Sequence, residues 1–181
     1  TPIQLSAQSN LFKQTFTDAE YFFFMQDYQE ALPLYQKLFR MDSSNANVNF
    51  RLGQCYLNIA GIKSKAIPHL EKAIQNINPK YNEGSYKETQ APPLALFHLG
   101  EAYMVNHNLD KALKIFTEFK DRLDIKDVYN LDYVNQQIKA CENAKQYISK
   151  PIDIQTERFN PFPERNKNCN YPVLSADRNT M

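Results

Sequence analysis

The sequence predicts an all-α protein: a right-handed repeat domain of seven main helices, followed by an extended C-terminal tail. Three observations predict it. Two of the four glycines in this 181-residue chain share one context, FRLGQCYLNIA at 50–60 and FHLGEAYMVNH at 97–107. Each is followed by a segment carrying Lys-Ala-Ile/Leu and then apolar residues four and seven places after the alanine. Four glycines in all are too few for a loop-rich or all-β chain.

A glycine inside a helix costs about 1 kcal/mol relative to alanine. Close approach of a second helix offsets that cost, because a missing Cβ lets two backbones pack tightly. The second helix should follow soon. KAIPHLEKAI (65–74) supplies Ala66, Leu70 and Ala73, and KALKIFTEFK (111–120) supplies Ala112, Phe116 and Phe119. A spacing of 0, 4 and 7 marks one helix face. A copy with alanine in the glycine place lies upstream, DAEYFFFMQDYQEALPLYQKLFRMDSSN at 18–45. Ala19 stands at the small-residue position, Phe22 at the tyrosine position, and Ala31, Tyr35 and Leu38 repeat the 0, 4, 7 pattern. MDSSN closes it as a polar turn.

The second copy has one extra residue near Gly61. Gly53 and Gly100 are 47 residues apart, and the excess is mostly the polar insertion YNEGSYKETQAP, which Pro92 and Pro93 end by opening the next helix. One more helix follows in LDYVNQQIKACENAKQYISK (131–150), with Leu131, Val134, Ile138, Cys141 and Ile148 on one stripe. Asp132, Gln136, Lys139, Asn143 and Gln146 give it the polar outer face that a terminal repeat element needs. Pro151 stops it. The expected organisation is an N-terminal extension 1–10 and a repeat domain 11–149. Within that domain the repeats fall at about 12–45, 46–80 and 93–126, with the insertion at 81–92 and a capping helix at about 127–149. An extended linker at 150–170, with three prolines and no helical period, precedes a short terminal segment at 171–181.

Composition excludes several function classes. Lys plus Arg is 21 and Asp plus Glu is 20, a net charge of +1, so no basic excess points to nucleic acid. No run of 18 apolar residues exists for direct membrane insertion. TPIQLSAQSN does not read as a signal peptide. Cys55, Cys141 and Cys169 are odd in number and widely spaced, neither a disulfide framework nor a zinc site, and the first two read as buried free thiols. His69, His98 and His107 form no His-Glu-x-x-His arrangement. His98 and Glu101 share a helix face, but two donors do not make a metal site. Neither a phosphate-binding glycine loop nor a Gly-x-Ser-x-Gly elbow occurs. No catalytic residue, metal or cofactor is therefore expected, and the chain reads as a non-enzyme.

A small residue, an aromatic and an alanine recurring at about 34 residues resemble the tetratricopeptide (TPR) repeat over residues 11–149. The matching positions are Leu52, Gly53, Tyr56, Ala66, Leu70 and Ala73, and then Leu99, Gly100, Tyr103, Ala112 and Phe116. The chain departs from the pattern in having no Trp, in placing Ser43 at the first closing proline, and in delaying the second, Pro79, by one residue. Downstream, PVLSADRNTM resembles the start of a blade in WD40-like propellers of the TolB type, with Pro172, Ser175 and Asp177 in the Pro-x-x-Ser-x-Asp places. Repeats, a helix with Ile138, Cys141 and Ala144, a KPIDIQ connector and that segment together resemble one family. Its members are large periplasmic proteins running from TPR repeats through a propeller to an OmpA-like peptidoglycan-binding domain, some of them in type IX secretion and gliding machineries.

That resemblance implies a right-handed TPR superhelix of three helical hairpins plus a capping helix. It implies a protein–protein interaction scaffold, periplasmic and outer-membrane associated, which reaches peptidoglycan only through domains absent from this chain. A cytosolic TPR adaptor and an accessory domain of a propeller-containing hydrolase stay open as alternatives. The repeat register also names an expected concave groove. Three places before the small residue stand Phe16, Phe50 and Phe97, which either line this groove or pack on one another, and one place after it stand Glu20, Gln54 and Glu101. Four places after it stand Phe23, Leu57 and Met104, with Asn58 at the next place of the second copy. Relatives that clamp a C-terminal carboxylate use Lys and Asn in this register, whereas an anion here would face Glu20 and Glu101. The expected partner is a protein or peptide with an apolar segment, or the chain's own tail through Phe159 and Phe162.

Overall fold

The computed structural model describes residues 2–124 and 126–150. Seven α-helices lie among them: α1 (Pro2–Phe24), α2 (Tyr28–Met41), α3 (Ala46–Asn58), α4 (Ala66–Ala73), α5 (Leu94–Val105), α6 (Leu109–Asp121) and α7 (Val128–Ile148). No strand occurs among the described residues, only an isolated parallel bridge between Ile77 and Ala91. Helices α1 and α2, α3 and α4, and α5 and α6 pair as hairpins; α2 packs on α3, α4 on α5 and α6 on α7. The architecture is an all-α right-handed superhelix of two-helix repeats. Helix α1 already runs from Pro2, so most of the expected N-terminal extension is helical. The linker, the terminal segment, Phe159, Phe162 and Cys169 lie outside the described residues.

Residues at the 0, 4 and 7 positions of the second helices are the inner face of each hairpin. Ala31, Tyr35 and Leu38, Ala66, Leu70 and Ala73, and Ala112, Phe116 and Phe119 are all buried. The small residues face them directly. A Cβ added at Gly53 would stand 2.4 Å from the Leu70 Cγ, and one at Gly100 would stand 2.5 Å from the Phe116 Cε1. Only a missing side chain allows that approach.

Caps and turns explain where the helices stop. Asp27 accepts a hydrogen bond from the Glu30 N–H, Asn45 from the Val48 N–H and Asp127 from the Asn130 N–H, satisfying free donors at the starts of α2, α3 and α7. In the first and third hairpins the chain reverses through a left-handed residue seven places after the small position, Gln26 and His107, each at φ 60°. In the second hairpin that role passes to Gly61, one place later, at φ 81°. The extra residue is absorbed there, followed by a short 3-10 turn over Lys63–Lys65.

The terminal helix buries Val134 and Cys141 and half-buries Ile138 against the core, Leu131 is half-buried, and Asp132, Gln136, Lys139, Asn143 and Gln146 are exposed. Ile148, expected on the same stripe, is exposed instead, because it lies in the final turn of the helix. Cys55 and Cys141 are buried free thiols, and burial pushes Cys55 up to about 12, which leaves it an unreactive thiol.

His69 joins the first two repeats. Its ring stacks on Tyr56 at 5.5 Å and meets the edge of Phe39 at 5.1 Å, while Nδ1–H donates to Asn49 Oδ1 at 3.0 Å. Burial, with Lys72 nearby, holds its pKa below the ordinary 6.5. The unfolded chain therefore takes up a proton more readily than the folded one as pH falls below 6.5. Stability supplied by the neutral ring is complete above that pH and is lost on acidification toward the folded-state value. Thermal midpoints measured across this window should fall, and His69→Gln should flatten the slope.

Overpacking at the two glycines should outweigh the gain in helix propensity. Gly53→Ala and Gly100→Ala are each expected to lose about 1–2 kcal/mol in urea unfolding. Gly53→Ala combined with Leu70→Ala should cost less than the sum of the single changes.

Candidate functional site

The aromatic column does not line an open trough. Phe16, Phe50 and Phe97 are 1%, 2% and 4% exposed, which corrects the expectation that they form a groove wall. Each points into a seam. Phe16 stacks on Phe12 and meets the edge of Tyr35. Phe50 lies against Tyr81 and His98. Phe97 contacts Phe116 and Phe119 and is covered by Tyr133 of α7, stacked at 5.2 Å. Aromatic side chains gain about 1.5–3 kcal/mol each from full burial, so a covering element wins over solvent wherever one is available.

One place after the small residues the structure builds a polar ladder across all three hairpins. Glu20 on α1 is buried and takes a two-pronged contact from Arg51 on α3, with Nε to Oε1 at 2.8 Å and Nη2 to Oε2 at 2.9 Å. Tyr35 donates its hydroxyl to the same carboxylate at 2.5 Å. The guanidinium lies over the Phe23 ring, 4.4 Å from its centre. Its Nη1 donates to Gln54 Oε1 at 3.2 Å. The Gln54 amide nitrogen then stands 3.1 Å from His98 Nε2, and His98 Nδ1 stands 2.7 Å from Glu101 Oε2. With the Gln54 nitrogen donating, His98 Nε2 must accept and Nδ1 must carry the proton given to Glu101.

Burial and the neighbouring Glu20 carboxylate drive the Tyr35 hydroxyl far above its usual range. For Arg51 burial opposes the charge, but Glu20, Tyr81 and Tyr35 more than compensate and its pKa rises. Arg51 was not singled out in the sequence. Its one signal there is that it is the lone charged residue of α3, set between Phe50 and Leu52.

The insertion closes the first half of the concave face. Ala46 and Asn47 donate their backbone N–H groups to the Thr89 carbonyl at 2.9 and 3.3 Å. Tyr81 donates to Asn47 Oδ1 at 2.6 Å, and Asn47 Nδ2 donates to the Glu88 carbonyl at 3.2 Å. Glu83 reaches Arg51 Nη2 at 3.4 Å, and the Lys13 ammonium lies over the Tyr86 ring. Glu88 holds the loop's own shape, accepting from Asn78 Nδ2 and the backbone N–H groups of Asn82 and Gln90. Those hydrogen bonds keep its carboxylate below the usual range although burial acts against them.

The open half surrounds α5. On one side of the His98–Glu101 pair a depression of about 290 Å³ is lined by Leu57, Asn58, Lys63 and Val105. On the other side a second of about 290 Å³ lies among Leu94, Phe97, Phe119, Asn130 and Tyr133. Of the expected groove residues, Gln54, Leu57, Asn58 and Glu101 belong to this half, whereas Met104 is half-buried against the core. Phe23 is half-buried against Tyr28, Tyr35 and Arg51. Glu20 is sealed beneath Arg51 and the insertion. No group of three His, Cys, Asp or Glu side chains among the described residues is placed to hold a metal ion, and no described helix is long and apolar enough to cross a membrane.

Residues 16–81 match the family model of the tetratricopeptide repeat. Among solved structures, the chain is similar to the first TPR domain of the human RPAP3 protein, determined by NMR. The two share 18% identity over 76% of this chain and 97% of that one, with a TM-score of 0.49. No curated protein matches.

Removing Arg51 would leave a buried carboxylate without its cation. Arg51→Ala is expected to destabilise the domain by about 3–5 kcal/mol, read as a lower urea midpoint. Glu20→Gln with Arg51→Met, which removes both charges, should recover most of that loss.

Proposed function

We propose that this chain is a protein–protein interaction module whose contact surface is the open half of the concave face, centred on His98 and Glu101. Tetratricopeptide domains mediate protein–protein interactions, and this fold class is a scaffold class. The observation that carries the reading is the pair of depressions flanking α5, with exposed Leu94 and Val105 at 43% and 41%. Around Glu20 and Arg51 the concave face is covered by the chain's own insertion. An apolar segment of a partner suits these depressions. The chain's own tail stands as the alternative occupant in the sequence reading.

On the same proposal the chain is the N-terminal module of a periplasmic, outer-membrane-associated protein. It links a secretion or motility complex to peptidoglycan through domains downstream of Met181. Support for this comes from the sequence resemblance alone: Ile138, Cys141 and Ala144, then KPIDIQ, then Pro172, Ser175 and Asp177. A cytosolic adaptor and a module of a propeller-containing hydrolase are the rival readings.

Two measurements test the proposal. Leu94→Glu and Val105→Glu place charges on exposed positions and should change unfolding free energy by no more than about 0.5 kcal/mol. Both should abolish retention of the partner that the unaltered chain captures from a periplasmic extract. Retention by both variants would refute the assigned surface. Recovery of the full-length protein in the cytosolic fraction would refute the envelope placement.

A further inference from the structure

The depression between α5, α6 and α7 has a chemistry more specific than an apolar slot. We propose that it receives the arginine side chain of an extended segment of a protein partner. This deepens the interaction reading above and rests on it.

The floor is aromatic. The Phe97 and Tyr133 rings are stacked at 5.2 Å with 27° between their planes, and Phe119 lies 5.6 Å from Phe97. Tyr133 is 44% exposed, so one face of that stack is open. The rim carries one full charge, and it is negative. Glu101 lines the depression, and no Lys or Arg does. Lys63 lies in the companion depression across α5, not in this one.

The polar atoms on offer are acceptors. Glu101 is held through Oε2 by His98, which leaves Oε1 without a partner among the described residues. The Asn130 amide nitrogen is engaged by Asp127 Oδ2 at 2.7 Å, so its Oδ1 is the end left to accept. His98 offers no acceptor, since Gln54 occupies Nε2.

Two acceptors beside an open aromatic face fit a planar, multi-donor cation on a long apolar stem. A guanidinium satisfies both acceptors while its methylenes lie on the rings. A purely apolar side chain would desolvate Glu101 and Asn130 and give them no donor. An acidic side chain would meet the Glu101 carboxylate. At about 290 Å³ the space is at the small end of ligand pockets and holds one long side chain.

The test is an NMR titration of the 181-residue chain with blocked tripeptides. The probes are acetyl-Leu-Arg-Leu-amide and the same peptide with norleucine in place of arginine. The arginine peptide should shift the amide signals of Glu101, Asn130 and Tyr133 and bind about tenfold tighter than the norleucine peptide. Glu101→Gln keeps an acceptor for His98 and should preserve the melting temperature. It should erase the preference for arginine, with norleucine binding no weaker than to the unaltered chain. Equal or tighter binding of the norleucine peptide, with shifts at the same residues, overturns the arginine assignment and leaves the interaction surface standing. Absence of shifts at these residues with either peptide overturns both.

Discussion

The repeat architecture depends on one steric constraint, the absence of a side chain where two helices of a hairpin meet. At Gly53 and Gly100 the opposing Leu70 and Phe116 occupy the space a Cβ would need. The hairpins close to that distance and no further, and each first helix is thereby fixed in rotation about its own axis. That rotation decides which residues face the core, which face the next repeat and which face the concave side. In the first hairpin Ala19 replaces glycine, and Tyr35, at the place of Leu70 and Phe116, adds a hydroxyl that reaches Glu20. Tyr35 thus brings a polar group into the seam between the first two repeats.

That polar group is the start of the ladder. A buried arginine is tolerated only where its charge and its donors are matched. Arg51 meets this condition with Glu20, Gln54 and the Phe23 ring. The insertion completes the enclosure through Tyr81 and Glu83. The consequence is a concave face of unequal halves. Around Glu20 and Arg51 it is polar, paired and covered. Over α5 it is open, with aromatic and aliphatic surface around one carboxylate whose orientation the ladder sets.

The helices and their inward faces were legible because their signals are local. The 0, 4, 7 spacing of Ala66, Leu70 and Ala73 is a property of one turn of chain, and it needs no knowledge of what lies opposite. The one-residue lengthening near Gly61 was visible for the same reason, as a shift in the interval between small residue and alanine. The candidate site was legible only in part. Gln54, Leu57, Asn58 and Glu101 follow from register alone. Phe16, Phe50 and Phe97 share a column in the sequence, but whether a column is wall or core depends on what covers it. For Phe50 the cover includes Tyr81, and for Phe97 it includes Tyr133.

The sequence by itself determined the repeat, the small-residue contacts and the lack of a catalytic constellation among its motifs, since each rests on spacing within a few helical turns. Tertiary structure alone decided that the insertion folds back over α1 and α3, and that Arg51 is the buried centre of the ladder. It also decided that open depressions flank α5, one of them walled by Leu57 and Asn58 of α3. The physical reason is distance along the chain. The contacts concerned join residues 31 to 44 positions apart, as in Arg51 with Glu20, Tyr81 with Asn47 and His98 with Gln54. No periodicity reports which of several polar side chains will meet across such a gap. Packing settles it by leaving no buried charge without a partner.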